Sequence, residues 1–313
     1  MTRAFVYPGQ GSQAVGMGRD VAEAFPCARE VFEEIDAALG QNLSKLMFEG
    51  PDEELILTEN AQPAIMAVSL AVMRVLRSEG GMDLATTASF VSGHSLGEYS
   101  ALAAAGCFSV ADTARLLKTR GRAMQEAVAV GKGAMAALMG LDLEDVIAIA
   151  AEASTDGVCA TANDNAPGQV VVSGDVAAVE RAMEIAKEKG AKRAMLLPVS
   201  APFHCPLMAP AAEVMAGALA RVAMQPVTVP LIANVTAAEV TDPMDIRRLL
   251  VEQVTGMVRW RECVLTMKDK GVDHLVEVGG GKVLAGLARR IDKELSAVSV
   301  GTPDGIEEFL KGL

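Results

Sequence analysis

Aromatic residues are scarce in this chain: one Trp, two Tyr and eight Phe make up 4% of 313 residues. Ala, Val, Leu and Met must therefore fill the core. Histidine is rarer still, with three copies, so any histidine chemistry has few sources. The cysteines Cys27, Cys107, Cys159, Cys205 and Cys263 are odd in number, far apart and without a C-x-x-C pair. That argues against a disulfide framework and against a zinc site, so no metal is expected. No stretch approaches 18 uninterrupted apolar residues, and the start, Met1-Thr2-Arg3-Ala4-Phe5-Val6-Tyr7-Pro8, lacks the apolar run of a signal peptide. Positive charge is in deficit: 28 Lys and Arg against 40 Asp and Glu leave a net charge of −12. A chain that acidic is a poor match for nucleic acid. The expectation is a reduced, soluble, cytoplasmic protein with neither a nucleic-acid nor a membrane partner.

What is present is ordinary globular material, 51% apolar and 22% charged. The length favours a large domain plus a smaller one. Residues 4–7 read as a short buried strand stopped by Pro8-Gly9. Residues 20–39 and 60–79 have helical spacing of apolar positions. A strand over 89–92, a helix over 96–105 and a helix over 111–128 follow. The middle of the chain reads as strand 133–139, helix 143–153, strands 158–162 and 169–173, helix 175–189 and strand 193–199. That order is β-α-β-β-α-β, the ferredoxin-like arrangement. Residues 128–199 are therefore expected to be a small domain inserted into a large α/β domain of residues 1–127 and 200–313. The large domain resumes with a helix near 207–222, a strand over 229–233, a helix from Pro243 to about Thr255 and a strand over 274–278.

Gly93-His94-Ser95-Leu96-Gly97 is a G-x-S-x-G motif between an apolar strand and a helix, the setting of a nucleophile elbow. A sharp strand-to-helix turn strains the serine backbone and leaves room for glycine alone on either side. It lifts the Ser95 hydroxyl clear and sets it at a helix N-terminus, where backbone N–H groups favour developing negative charge. An oxyanion hole needs two donors. The Leu96 N–H is one by the logic of the elbow. For the second, the loop Pro8-Gly9-Gln10-Gly11 is the best-placed source, with the Gln10 N–H preferred; the same glycines also suit a plain turn. A dinucleotide fingerprint is discounted, because the spacing of Gly9, Gly11 and Gly16 is too long.

A serine nucleophile needs a base, usually histidine. His94 adjoins Ser95, so its side chain is expected to point elsewhere. His274 lies at a strand. His204, in Ser200-Ala201-Pro202-Phe203-His204-Cys205-Pro206, occupies a Pro-braced loop after a strand, where α/β proteins put chemistry. No downstream aspartate stands out as a third member. Gln253 falls in the last turn of its helix, where carbonyls lack helical partners and one is free to orient His204; a surface glutamine is the plainer alternative. On the 111–128 helix, Arg120 falls on the apolar face together with Met124. A buried guanidinium needs an anion, either an internal acid or a carboxylate arriving with the substrate.

Five stretches match a known family in its order. They are Tyr7-Pro8-Gly9-Gln10-Gly11-Ser12-Gln13, Gly93-His94-Ser95-Leu96-Gly97-Glu98-Tyr99, Arg120-Gly121-Arg122-Ala123-Met124-Gln125, Ser200-Ala201-Pro202-Phe203-His204 and Glu277-Val278-Gly279-Gly280-Gly281-Lys282. They span nearly the whole chain, and together they are highly specific. The chain resembles the bacterial malonyl-CoA:acyl carrier protein transacylases of fatty-acid synthesis. The one departure noted is Gly280, where the family usually has proline.

The resemblance implies an α/β-hydrolase-like core with an inserted ferredoxin-like small domain. It implies Ser95 as nucleophile, His204 as base, and Gln253 as its support through the backbone carbonyl. Arg120 becomes the partner of the malonyl carboxylate, Gln10 and Leu96 the oxyanion donors, and Met124 a substrate-site neighbour. Phe203 is the bulky residue that malonyl-selective members set against a methyl branch. The implied partners are malonyl-CoA and acyl carrier protein, with the coenzyme A thioester as substrate and no resident cofactor. A serine thioesterase or esterase of the α/β-hydrolase type would share the elbow and the base. The basic clusters Lys187, Lys189, Lys192 and Arg193, and Arg289, Arg290 and Lys293, are candidate docking patches for an acidic carrier protein.

Overall fold

The first apolar run becomes the middle of a sheet. In the computed structural model, which describes all of residues 1–313, Arg3–Tyr7 forms strand β1. Its period-two alternation sends Phe5 and Tyr7 into one apolar core and Ala4 and Val6 into another. A strand buried on both faces belongs in a parallel sheet with helices on each side. The later strands are β2 (Phe90–Gly93), β3 (Gly133–Met139), β4 (Cys159–Ala166), β5 (Gln169–Asp175), β6 (Arg193–Leu196), β7 (Leu231–Ile232), β8 (Glu239–Val240), β9 (His274–Val278) and β10 (Ser296–Val300). Six make one sheet in the order β10-β9-β1-β2-β7-β8. It is parallel except for β8, which turns back along β7.

One face of that sheet is covered by the Thr58–Ser78 helix, buried along most of its length, and by the Pro26–Leu39, Gly97–Ala104 and Val110–Glu126 helices around it. The other face is covered by the Trp260–Asp269 and Val283–Ile291 helices, with Trp260 fully buried. The remaining four strands form an antiparallel sheet in the order β4-β5-β3-β6, backed by the Leu143–Ala153 and Val176–Glu188 helices around a third apolar core.

The face of this sheet turned away from its own helices joins the large core through Met135, Ala137, Ala162 and Val171. The entry and exit of the four-stranded unit lie side by side: a Cβ on Gly133 would strike Pro202, and Gln125 donates to Ser200 O. At the far side, β4 bridges to Val258, and buried Asp164 pairs with Arg261 at 2.8 Å.

Several boundaries differ from the sequence reading for local reasons. The helix expected over 20–39 is two, Arg19–Ala24 and Pro26–Leu39. Phe25 is extended before Pro26, which cannot donate to a continuing helix. The strand read over 158–162 runs on to Ala166, past register shifts that the alternation does not reveal. The strand read over 193–199 stops at Leu196, short of Pro198, and the strand read over 229–233 shrinks to Leu231–Ile232.

Candidate active site

Ser95 sits between β2 and the Gly97–Ala104 helix with φ of 53°. A left-handed backbone at a non-glycine residue costs on the order of 1–3 kcal/mol and persists only where the surroundings impose it. Here they do. A Cβ on Gly93 would lie 2.0 Å from the Gly97 backbone, and one on Gly97 would lie 2.2 Å from Tyr7 O. Asn234 ties the turn from beneath: Ser95 N–H donates to Asn234 Oδ1 at 2.8 Å, and Asn234 Nδ2 donates to Gly93 O at 2.7 Å.

His204 comes from the loop ahead of the Ala209–Leu219 helix, itself with φ of 58°. Its Nε2 lies 2.7 Å from Ser95 Oγ, and its Nδ1 lies 2.9 Å from the Gln253 carbonyl. A carbonyl only accepts, so Nδ1 carries the proton and Nε2 is free to accept from the serine hydroxyl. Burial, reinforced by the nearby Arg120 charge, pushes the imidazole down to about 3. It rests neutral, the state a base requires. The other histidines do different work. His94 meets Asn165 Oδ1 at 2.8 Å, and His274 meets Ser296 Oγ at 2.7 Å.

Arg120 is 1% exposed and takes part in no ion pair. Its Nη1 donates to Gln62 Oε1 at 2.7 Å. Its Nη2 donates to Gln253 Oε1 at 2.9 Å and reaches Ser95 Oγ at 3.2 Å. The guanidinium also lies over the Tyr99 ring, 5.7 Å from its centroid. Two neutral amides thus hold a buried cation beside the nucleophile. Gln62 is held in turn, its Nε2 donating to Thr58 Oγ1, which donates to Gln10 Oε1.

These groups open onto a cavity of about 380 Å³ that touches Gln10, Ser95, Leu96, Arg120, Met124, Phe203 and His204. The Leu96 and Gln10 N–H groups make no hydrogen bond within the protein. Gln253 is fully buried in the last turn of the Pro243–Thr255 helix, so it is no surface glutamine. Sequence reasoning passed over Asn234, Gln62 and Glu98. Glu98 stood inside a quoted motif; nothing in the local pattern marks the other two. The longer β4 also brings Asn163 to the cavity wall and Asn165 to His94.

The acyl transferase domain family model matches residues 4–301. The malonyl CoA-acyl carrier protein transacylase of Bacillus subtilis is 44% identical over 99% of this chain and 96% of its own length. The crystal structure of the acyl-carrier-protein-S-malonyltransferase of Bartonella henselae, 56% identical, superposes with a TM-score of 0.97 over 100% of this chain and 99% of the other. A type II PKS acyl-carrier protein in complex with its malonyl-transacylase provides a third match, at 42% identity and a TM-score of 0.96 over the full length of both chains. The chain belongs to the acyl transferase family, among its malonyl CoA-acyl carrier protein transacylases.

Proposed function

We propose that this enzyme moves malonyl from coenzyme A to the phosphopantetheine thiol of acyl carrier protein, through a malonyl ester on Ser95. One observation carries the choice of cargo: the Arg120 guanidinium, without an internal acid as ion-pair partner, lies 3.2 Å from the nucleophilic oxygen. A carboxylate a short chain away from a carbonyl under attack at Ser95 meets that guanidinium, and a planar fork grips a carboxylate bidentately.

The reaction runs in two halves. His204 Nε2 takes the Ser95 proton as Oγ attacks the thioester carbonyl. The Leu96 and Gln10 N–H groups receive the oxyanion. The carbon–sulfur bond breaks, and the departing thiolate takes the proton from His204. The carrier thiol then gives its proton to His204 and attacks the ester. The carbon–oxygen bond breaks, and Ser95 recovers the proton. The coenzyme is substrate, and every proton moves between groups of this chain and the two thiols. Met124 and Phe203 wall the acyl pocket.

The order β4-β5-β3-β6 with two crossover helices supports a ferredoxin-like small domain over 128–199, inserted into an α/β-hydrolase-like domain of 1–127 and 200–313. A cytoplasmic setting suits five free cysteines and a chain in which no helix is long and apolar enough to cross a membrane. Of the two basic patches, Lys189 is engaged by Glu152 and Arg290 by Gln169, which leaves Lys187, Lys192 and Arg193 in one and Arg289 and Lys293 in the other as cations available to a carrier.

Mass spectrometry of the intact protein after malonyl-CoA tests the reading. One malonyl adduct is expected, discharged by acyl carrier protein and absent in Ser95→Ala. Rapid release of free malonate with no trapped adduct would favour the thioesterase alternative.

A further inference from the structure

The catalytic groups are held by residues that themselves converge on one buried carboxylate. Glu98, in the first turn of the Gly97–Ala104 helix, is 1% exposed. Its Oε2 accepts from Gln253 Nε2 at 2.9 Å and from the Asn234 backbone N–H at 3.1 Å. Gln253 is the residue whose carbonyl orients His204 and whose amide oxygen receives Arg120. Its Nε2 also donates to Ser95 O at 2.9 Å. Asn234 is the residue that ties the elbow. Base, clamp and nucleophile therefore share an anchor one side chain deep.

We propose that Glu98 is a positioning residue whose ionised carboxylate holds Gln253 and Asn234, and through them His204, Arg120 and Ser95, in working register. An ionised carboxylate accepts on both oxygens, and its charge-assisted bonds are roughly twice as strong as neutral ones. Both bonds end on Oε2, so the proton falls on Oε1 and acts by removing the negative charge that strengthens the two bonds together. The same charge balances Arg120 through the Gln253 amide without covering the part of the fork that faces the cavity.

This anchor titrates where its neighbours do not. Burial raises Glu98 to about 7, against the pull of Gln253, Asn234 and Arg120. The charged and titratable groups around it are Arg120, Tyr99 and Cys263, with Tyr7 on the neighbouring strand, His204 and His94 across the site and the Arg77 guanidinium at the far end of the helix. Burial pushes Tyr99 up to about 12, Tyr7 higher, and the Cys263 thiol well up. His204 and His94 are pushed down. An acid limb near neutrality thus belongs to Glu98, not to the histidine that performs the proton transfer.

The inference rests on the acyl-serine reaction proposed above, and the test keeps the two apart. Acylation of the whole enzyme is followed from pH 5 to pH 9 with malonyl-pantetheine, which carries no phosphate that titrates in this range. Wild-type kcat/KM is expected to fall about tenfold between about pH 8 and about pH 6. In Glu98→Gln the plateau drops and the limb disappears. A limb that persists in Glu98→Gln, or a wild-type profile flat across the range, overturns the proposal. If Glu98→Gln fails to fold, Glu98→Asp decides: its shorter acid must move the limb by more than about half a pH unit, and an unmoved limb overturns the proposal. Absence of any acyl-serine on the wild-type enzyme instead sinks the underlying reaction.

Discussion

At the scale of single residues, Arg120 carries the sharpest expectation. Its only polar partners are Gln62, Gln253 and Ser95, so its charge is neutralised by no acid in direct contact. On the proposed reading, replacing it by Ala removes the partner of the substrate carboxylate. Malonyl kcat/KM is expected to fall by roughly 2–5 kcal/mol, the scale for breaking a buried charge pair. Acetyl transfer should lose far less, because acetyl offers no carboxylate; equal losses for both substrates would make Arg120 a structural cation. The same guanidinium depresses His204. On the proposed reading, a bound carboxylate offsets that field, so the cargo itself strengthens the base that takes the Ser95 proton. Motif, loop placement and helical phase had singled out Ser95, His204 and Arg120, which the fold sets side by side. Gln253 was legible only for its carbonyl, from its place in a last helical turn and from the resemblance. Its side chain, which touches Arg120, Ser95 and Glu98, leaves no trace in a one-dimensional pattern, because those contacts are 133, 158 and 155 residues away in sequence.

At the scale of elements, the elbow is a statement about backbone approach. Gly97→Ala would place a Cβ 2.2 Å from Tyr7 O and 2.8 Å from Pro8 O, both backbone atoms of the adjoining strand and loop. No rotamer relieves that clash. The variant is expected to lose about 1–3 kcal/mol of stability, the usual cost of overpacking, and to lose acylation more severely, since Ser95 and the Leu96 N–H must shift. A fully active, fully stable Gly97→Ala in thermal melts and the acylation assay would contradict this. Elements with strong periodic signals were read closely: Leu143–Ala153, Pro243–Thr255 and His274–Val278 fall where the pattern puts them. Trp260–Asp269, Val283–Ile291, β10 and Pro303–Lys311 went unread, although the last helix carries its own start signal, the Thr302 hydroxyl accepting from Gly305 N–H with Pro303 in the first turn. The Val283–Ile291 helix starts with no side-chain cap of its own; Glu277 on β9 receives the Leu284 and Ala285 N–H groups instead. A cap supplied from a neighbouring strand is invisible to local rules.

At the scale of the whole molecule, two buried groups pull stability in opposite directions with pH. Unfolded, His204 has its ordinary value of 6.5; folded, it is held at about 3. The unfolded chain thus takes up a proton that the native state refuses, and stability falls as pH drops from 6.5 toward 3. Glu98 goes the other way. Its folded value is about 7 against an ordinary 4.5, so the native state keeps a proton the unfolded chain has released. Its contribution is therefore lost as pH rises from 4.5 to 7. Between 4.5 and 6.5 the two slopes oppose each other, and the wild-type profile conceals both. Glu98→Gln removes one of them. The stability of the wild type minus that of Glu98→Gln, from urea unfolding at a series of pH values, should decline by up to about 1.4 kcal/mol per pH unit across the window from 4.5 to 7. It should be level on either side, because outside the window both states carry the same number of protons at this site. A difference that stays constant through the window would mean that Glu98 titrates alike in the folded and unfolded chain. The buried anchor beneath the active site would then hold no proton to lose.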